Sequence, residues 1–145
     1  MRTIGLILGC LIGLCILASL IAPTTPTKPL TKEETAQKQR DEANFQRAVL
    51  GAKQLRASMR NPDSFKLGQT LVMDDGAVCY DYRAQNGFGG MNVGHAVLAP
   101  DNKFKSDESA GFHALWHKEC AKKTGEDQTW QVGYAAGFHG ITGGD

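Results

Sequence analysis

Cysteine is scarce in this 145-residue chain, with four residues, two of them inside one apolar run. That excludes a disulfide-dense miniprotein. Neither charge sign is in excess, since sixteen basic residues face fifteen acidic ones. The chain as a whole is therefore no polycation, and no nucleic acid is expected as a partner. Long hydrophobic runs are lacking beyond the first one, which excludes a polytopic membrane protein. With 41% hydrophobic and 21% charged residues, the composition also excludes bulk disorder. The glycine-rich segment at residues 85–90 has no P-loop lysine and no helix start after it, so it is no phosphate cradle.

The one long apolar run covers residues 4–22 and carries no charge. At 1.5 Å per residue it nearly crosses the hydrocarbon of a bilayer. No small-residue pair suits signal cleavage near Ala22 or Ser19, and the run before Cys10 is too short for a lipoprotein signal. Residues 1–22 are therefore expected to be an uncleaved transmembrane signal anchor. Gly5, Gly9 and Gly13 fall on one face of that helix, the pattern of close helix packing in membranes and of a homodimer formed there. A positive-inside count, with Arg2 on one side and Lys28, Lys32, Lys38 and Arg40 on the other, argues for a cytoplasmic domain. The cysteines discussed below argue for export. The expectation is a single-pass inner-membrane protein with its domain in the periplasm.

Residues 23–30 hold three prolines and read as a stiff linker. Thr31 and Glu34 then make a capping box. Phe45, Val49, Ala52, Leu55 and Met59 form one helical stripe, which predicts an amphipathic helical arm over residues 31–60. Asn61-Pro62 ends it. Residues 28–60 hold eight basic and four acidic residues, whereas residues 61–145 hold seven basic and eleven acidic. That split points to a basic arm packed on an acidic domain, with anionic lipid headgroups as the competing contact.

Residues 61–125 are expected to form the domain proper. Phe65, Leu67, Leu71 and Met73 lie in a run that ends on the hairpin signal Asp74-Asp75-Gly76. Val78, Tyr80 and Tyr82 then alternate with Cys79, Asp81 and Arg83. Met91, Val93, His95 and Val97 share one face of a third strand, and a short strand surrounds Phe104. Ser106 or Asp107 could cap a helix from about residue 108 to 123. The fold class is thus α+β: a transmembrane helix, a long helix, an antiparallel meander of three or four strands, and a C-terminal helix, with the helices on one face of the sheet. Phe88, Tyr80, Tyr82, Arg83 and Asn86 form a candidate contact surface, with Phe88 at a loop tip.

Cys79 and Cys120 are the two cysteines of the domain. In an exported protein the pair reads as a disulfide between sheet and helix, and in a cytoplasmic one as two buried thiols. The alternative is a zinc site, because His113, His117 and Cys120 follow i, i+4, i+7 spacing and Cys79 could complete the set, with His95 as a spare. A zinc-binding or zinc-dependent protein is accordingly the second reading of function. A Cys79–His95–Asp81 nucleophile can also be written, but nothing local would activate the thiol. No catalytic residues are expected.

Several segments, taken in order, resemble a group of small bacterial secreted or lipoprotein domains. These are Arg60-Asn61-Pro62-Asp63-Ser64-Phe65, Val78-Cys79, Asn86-Gly87-Phe88-Gly89-Gly90 and Phe112-x-x-Leu115-Trp116-x-x-x-Cys120. The resemblance implies export and a Cys79–Cys120 disulfide, and implies no activity. The chain departs from the pattern at Tyr80, Arg83 and Met91. Residues 126–145 are a glycine-rich tail outside this likeness. Residues 130–140 are locally similar to ribosome modulation factor, a contact that export would forbid. The tail is expected to form a short helix that docks Trp130, Tyr134 and Phe138. Taken together, the sequence predicts a membrane-anchored, extracytoplasmic, non-catalytic domain that works through an unidentified protein partner, without a cofactor.

Overall fold

A computed structural model describes residues 29–139. The expected anchor, the Gly5, Gly9, Gly13 stripe and all but the end of the proline linker lie outside those residues. Among the described residues, no helix is long and apolar enough to cross a membrane.

Helix α1 runs from Lys32 to Ser58 and starts directly after Thr31, as the capping box requires. Its first three turns are solvated, and burial begins with Ala48, Val49, Ala52 and Leu55. A 3-10 turn at Pro62–Ser64 leads into the strands β1 (Lys66–Val72), β2 (Val78–Gln85), β3 (Met91–Leu98) and β4 (Phe104–Ser106). Helix α2 is Phe112–Glu119, the two-residue β5 is Glu126–Asp127, and α3 is Thr129–Ala136. The sheet is antiparallel with order β4-β3-β2-β1-β5. The α+β class is as the sequence predicts.

Three features differ from that reading. The helices cover both faces of the sheet, not one. Helix α1 and Val132 of α3 pack on Leu67, Val78, Tyr80, Tyr82, Ala96 and Leu98. Phe112 and Cys120, at the two ends of α2, pack with Cys79, Val97 and Met73 on the other face. Second, the described part of the tail, residues 126–139, belongs to the domain. Strand β5 pairs with Leu71 and Val72 at the edge of β1, and the compact unit extends from Lys32 onward. Third, β1 carries a bulge between Leu67 and Thr70. The extra residue reverses the alternation, so Leu67 faces α1 whereas Leu71 faces α2. Gly68 makes this close approach feasible, since a Cβ there would lie 2.9 Å from the Asp81 carbonyl oxygen.

Polar side chains lock the layers together. The Arg47 guanidinium donates to the carbonyls of Gly76 (2.6 Å) and Ala99 (2.7 Å), which ties α1 to two strand turns. The buried Thr129 hydroxyl accepts the N–H of Thr70 at the bulge (2.8 Å). Asp127 in turn accepts the Thr129 N–H (2.9 Å) and hydroxyl. Burial raises the pKa of Asp127, but hydrogen bonds from Thr129 and Gln69 outweigh it and hold the carboxyl below its ordinary value. A carboxylate depressed by folding adds stability above its unfolded pKa of about 4 and loses it as the pH falls through the lower folded value. Asp127→Asn is therefore expected to cost about 0.5–1 kcal/mol at pH 7, because the site is open to solvent, and less at about pH 3, below the unfolded pKa. Urea midpoints at the two pH values check this.

Candidate contact surface at the hairpin end

The end of the β2–β3 hairpin is built from the segments the sequence singles out. Asn86 organises the loop, because its Oδ1 accepts the N–H groups of Phe88 and Gly90, each at 3.0 Å. Its own N–H donates to the Gly90 carbonyl (2.8 Å), and Gly89 adopts φ +88°, as a tight loop requires. The 3-10 turn braces the base of the hairpin. The Ser64 hydroxyl accepts the Gln85 N–H (2.9 Å), and Asn61 Nδ2 donates to Gln85 Oε1 (2.7 Å). Phe88 stands wholly exposed at the tip of this braced loop.

A groove of about 720 Å³ opens beside the hairpin. Met59 and Arg60 at the end of α1 form one wall, Tyr82, Asn92 and Gly94 the floor, and Ser109 the far side. Asp107 shapes it, accepting the Tyr82 hydroxyl proton at Oδ1 (2.9 Å) while Oδ2 meets the His95 N–H (3.4 Å). This use of the carboxylate replaces the helix cap expected from Ser106 or Asp107, so α2 begins only at Phe112. Burial first, then the Asp107 hydrogen bond and the charges of Asp107 and Glu108, push the Tyr82 phenol well above its ordinary pKa.

Of the five candidate contact residues, the structure exposes Phe88 and Arg83 and half-buries Asn86 as the loop organiser. Tyr80 and Tyr82 are corrections, since both are buried. Tyr80 lies under α1 and donates to the Ala48 carbonyl (2.9 Å). Its burial raises the phenol pKa, against a smaller lowering by Arg47. Their alternation with Cys79 and Arg83 told only that they share a face, and α1 covers that face.

Cys79 and Cys120 are joined in a disulfide, with Cα atoms 5.9 Å apart. Neither sulfur is then a thiolate, and the zinc set is not assembled. His113 and His117 lie exposed on α2, and among the described residues no group of three or more His, Cys, Asp or Glu is arranged to hold a metal. The structure does bring His95 and Asp81 together (Nδ1 to Oδ1, 2.7 Å), with His95 against Trp116, but the bonded Cys79 supplies no nucleophile to them. In α3, Trp130 and Tyr134 are 66% and 86% exposed rather than docked, whereas Phe138 packs on Phe65.

The sequence reading missed that Met91 and Val93 are exposed, at 49% and 62%. They share the α2 face of the sheet, but α2 is only eight residues long and stops short of them. No protein family, curated protein or solved structure matches the chain.

Proposed function

We propose that the chain is a membrane-anchored, extracytoplasmic domain that works through contact with another protein rather than by catalysis. The observation that carries this reading is Phe88, wholly exposed on a loop held by two hydrogen bonds to one asparagine side chain. An aromatic ring presented on a pre-organised loop loses little entropy when a partner buries it. Met91 and Val93 extend the apolar surface along the neighbouring strand. The apolar run at residues 4–22 and the proline spacer support tethering, and the disulfide supports an oxidising compartment.

The test uses the full chain in bacterial cells with a reporter cysteine at exposed Leu50. A membrane-impermeant maleimide is expected to label Leu50→Cys in intact spheroplasts. A photo-reactive side chain at position 88 is expected to form a discrete protein adduct that the same group at position 50 does not. Labelling only after lysis would overturn the location, and identical adducts from both positions would overturn the contact site.

A further inference from the structure

Asparagine followed by glycine is a reactive pair. The peptide nitrogen of the next residue can close a five-membered ring on the side-chain carboxamide, and glycine offers that nitrogen without a Cβ in the way. The chain holds five asparagines, and only Asn86 precedes a glycine. The other four are poorly placed for such an attack. Asn61 precedes Pro62, which has no N–H to ionise. Asn44 lies inside α1, where the N–H of the next residue is spent on the helix. Asn92 precedes the β-branched Val93 within β3. Asn102 precedes Lys103, whose N–H donates to Asp101 Oδ1 (3.2 Å).

The loop adds three features to this pair. The N–H groups of Phe88 and Gly90 both reach Asn86 Oδ1, each at 3.0 Å. Two donors thus sit on the oxygen where negative charge develops when Cγ is attacked, which is the work of an oxyanion hole. The Phe88 bond also folds the carboxamide back along the chain, toward the peptide of Gly87. Second, the Gly87 N–H makes no hydrogen bond among the described residues, so no partner holds its proton. Third, the Arg60 guanidinium lies against Gly87, where a Cβ would overlap its Nη1. Arg60 forms no ion pair among the described residues, and a cation so placed favours an anionic nitrogen and oxygen beside it.

We propose that Asn86-Gly87 is a self-modifying site with water as its co-reactant. The Gly87 nitrogen loses its proton to solvent and bonds to Asn86 Cγ. The Cγ–Nδ2 bond breaks, and the amide leaves as ammonia after taking up a proton. Water then opens the succinimide: attack at Cγ gives aspartate, and attack at the main-chain carbonyl carbon gives isoaspartate. Nothing is oxidised or reduced. In the aspartate form the carboxylate still accepts from Phe88 and Gly90. In the isoaspartate form the main chain runs through Cγ and is one atom longer. The carbonyl that accepts the Gly89 N–H (3.1 Å) becomes a free carboxylate, and the turn that presents Phe88 is lost. The loop therefore limits the lifetime of its own contact surface. The chemistry is independent of the contact reading above, so either can fail alone.

The full chain is aged in zwitterionic micelles in mildly alkaline buffer, folded and, in parallel, reduced and unfolded in guanidinium chloride. Peptide mapping by mass spectrometry should show a gain of about 1 Da at Asn86 and at no other asparagine. Electron-driven fragmentation should find isoaspartate among the products. The folded chain should react at least as fast as the unfolded one, because only the fold supplies the two donors and the guanidinium. Arg60→Gln should slow the folded chain about threefold, the size of a solvent-screened charge effect, and leave the unfolded chain unchanged. In the isoaspartate fraction the Phe88 and Gly90 amides should exchange faster with solvent. No gain at Asn86, or equal gain at the other asparagines, would overturn the proposal. So would faster reaction in the unfolded chain, indifference to Arg60→Gln, or unchanged amide exchange in the isoaspartate fraction.

Discussion

Breaking the Cys79–Cys120 bond is expected to lower the unfolding free energy by about 4 kcal/mol. The two residues are 41 positions apart, and a cross-link of that span removes a large share of the unfolded chain's freedom. A domain of this size has roughly 5–15 kcal/mol in all, so the loss is a large fraction of the total. The melting temperature should fall by about 15–25 °C. Calorimetry with and without reductant measures the effect, and Cys79→Ala with Cys120→Ala separates it from other effects of the reductant. The location of the bond explains why the consequence is structural as well. It fastens the end of α2 to the centre of the sheet, and the cluster of Met73, Ala77, Val97 and Phe112 around it is small. A loss below about 1 kcal/mol would mean that the reduced, unfolded chain is already restricted in the same region.

The strands were largely legible in the sequence because alternation is a local signal. Val78, Tyr80 and Tyr82 do face α1 while Cys79 faces α2. What was not legible depends on partners distant in the chain. The bulge at Gly68 and Gln69 has no signature of its own; it is held by Thr129, some sixty residues on, and lets Gly68 lie close against the Asp81 backbone. The two-residue β5 is too short for periodicity to register and exists because β1 offers it an edge. Asp107 looked like a helix cap, and the Tyr82 hydroxyl claims it instead. The candidate surface divides in the same way. The exposure of Phe88 follows from its position in a tight loop. That of Met91 and Val93 follows from the short span of α2, which leaves their end of the strand uncovered. Whether a strand face is core or surface is thus decided by the length of the helix above it.

Replacing one hydrogen by a methyl group at Gly51 should destabilise the fold by about 2–3 kcal/mol, the second largest effect expected here. By helix propensity alone Gly51→Ala should stabilise α1 by about 1 kcal/mol. Packing opposes it, since the new Cβ would overlap the Tyr80 hydroxyl oxygen and press on Leu98 Cδ2 at 3.3 Å. Tyr80 cannot retreat, being fully buried and held to the Ala48 carbonyl at 2.9 Å. Either the helix lifts off the sheet or that hydrogen bond breaks and leaves a buried hydroxyl unpaired, at a cost of about 1–3 kcal/mol. Tyr80→Phe removes the overlapping oxygen and should by itself cost about 1 kcal/mol. In the double variant the worst overlap is removed, leaving the tight contacts with the ring Cζ at 3.1 Å and Leu98 Cδ2 at 3.3 Å, and the alanine retains its helical advantage. The two changes should therefore be non-additive by about 1–2 kcal/mol, with the pair more stable than the sum of the singles predicts. Urea unfolding of all four chains closes the cycle. Simple additivity would show that α1 does not approach the sheet through Gly51, and the contact between helix and strands would have to lie elsewhere along its buried stripe.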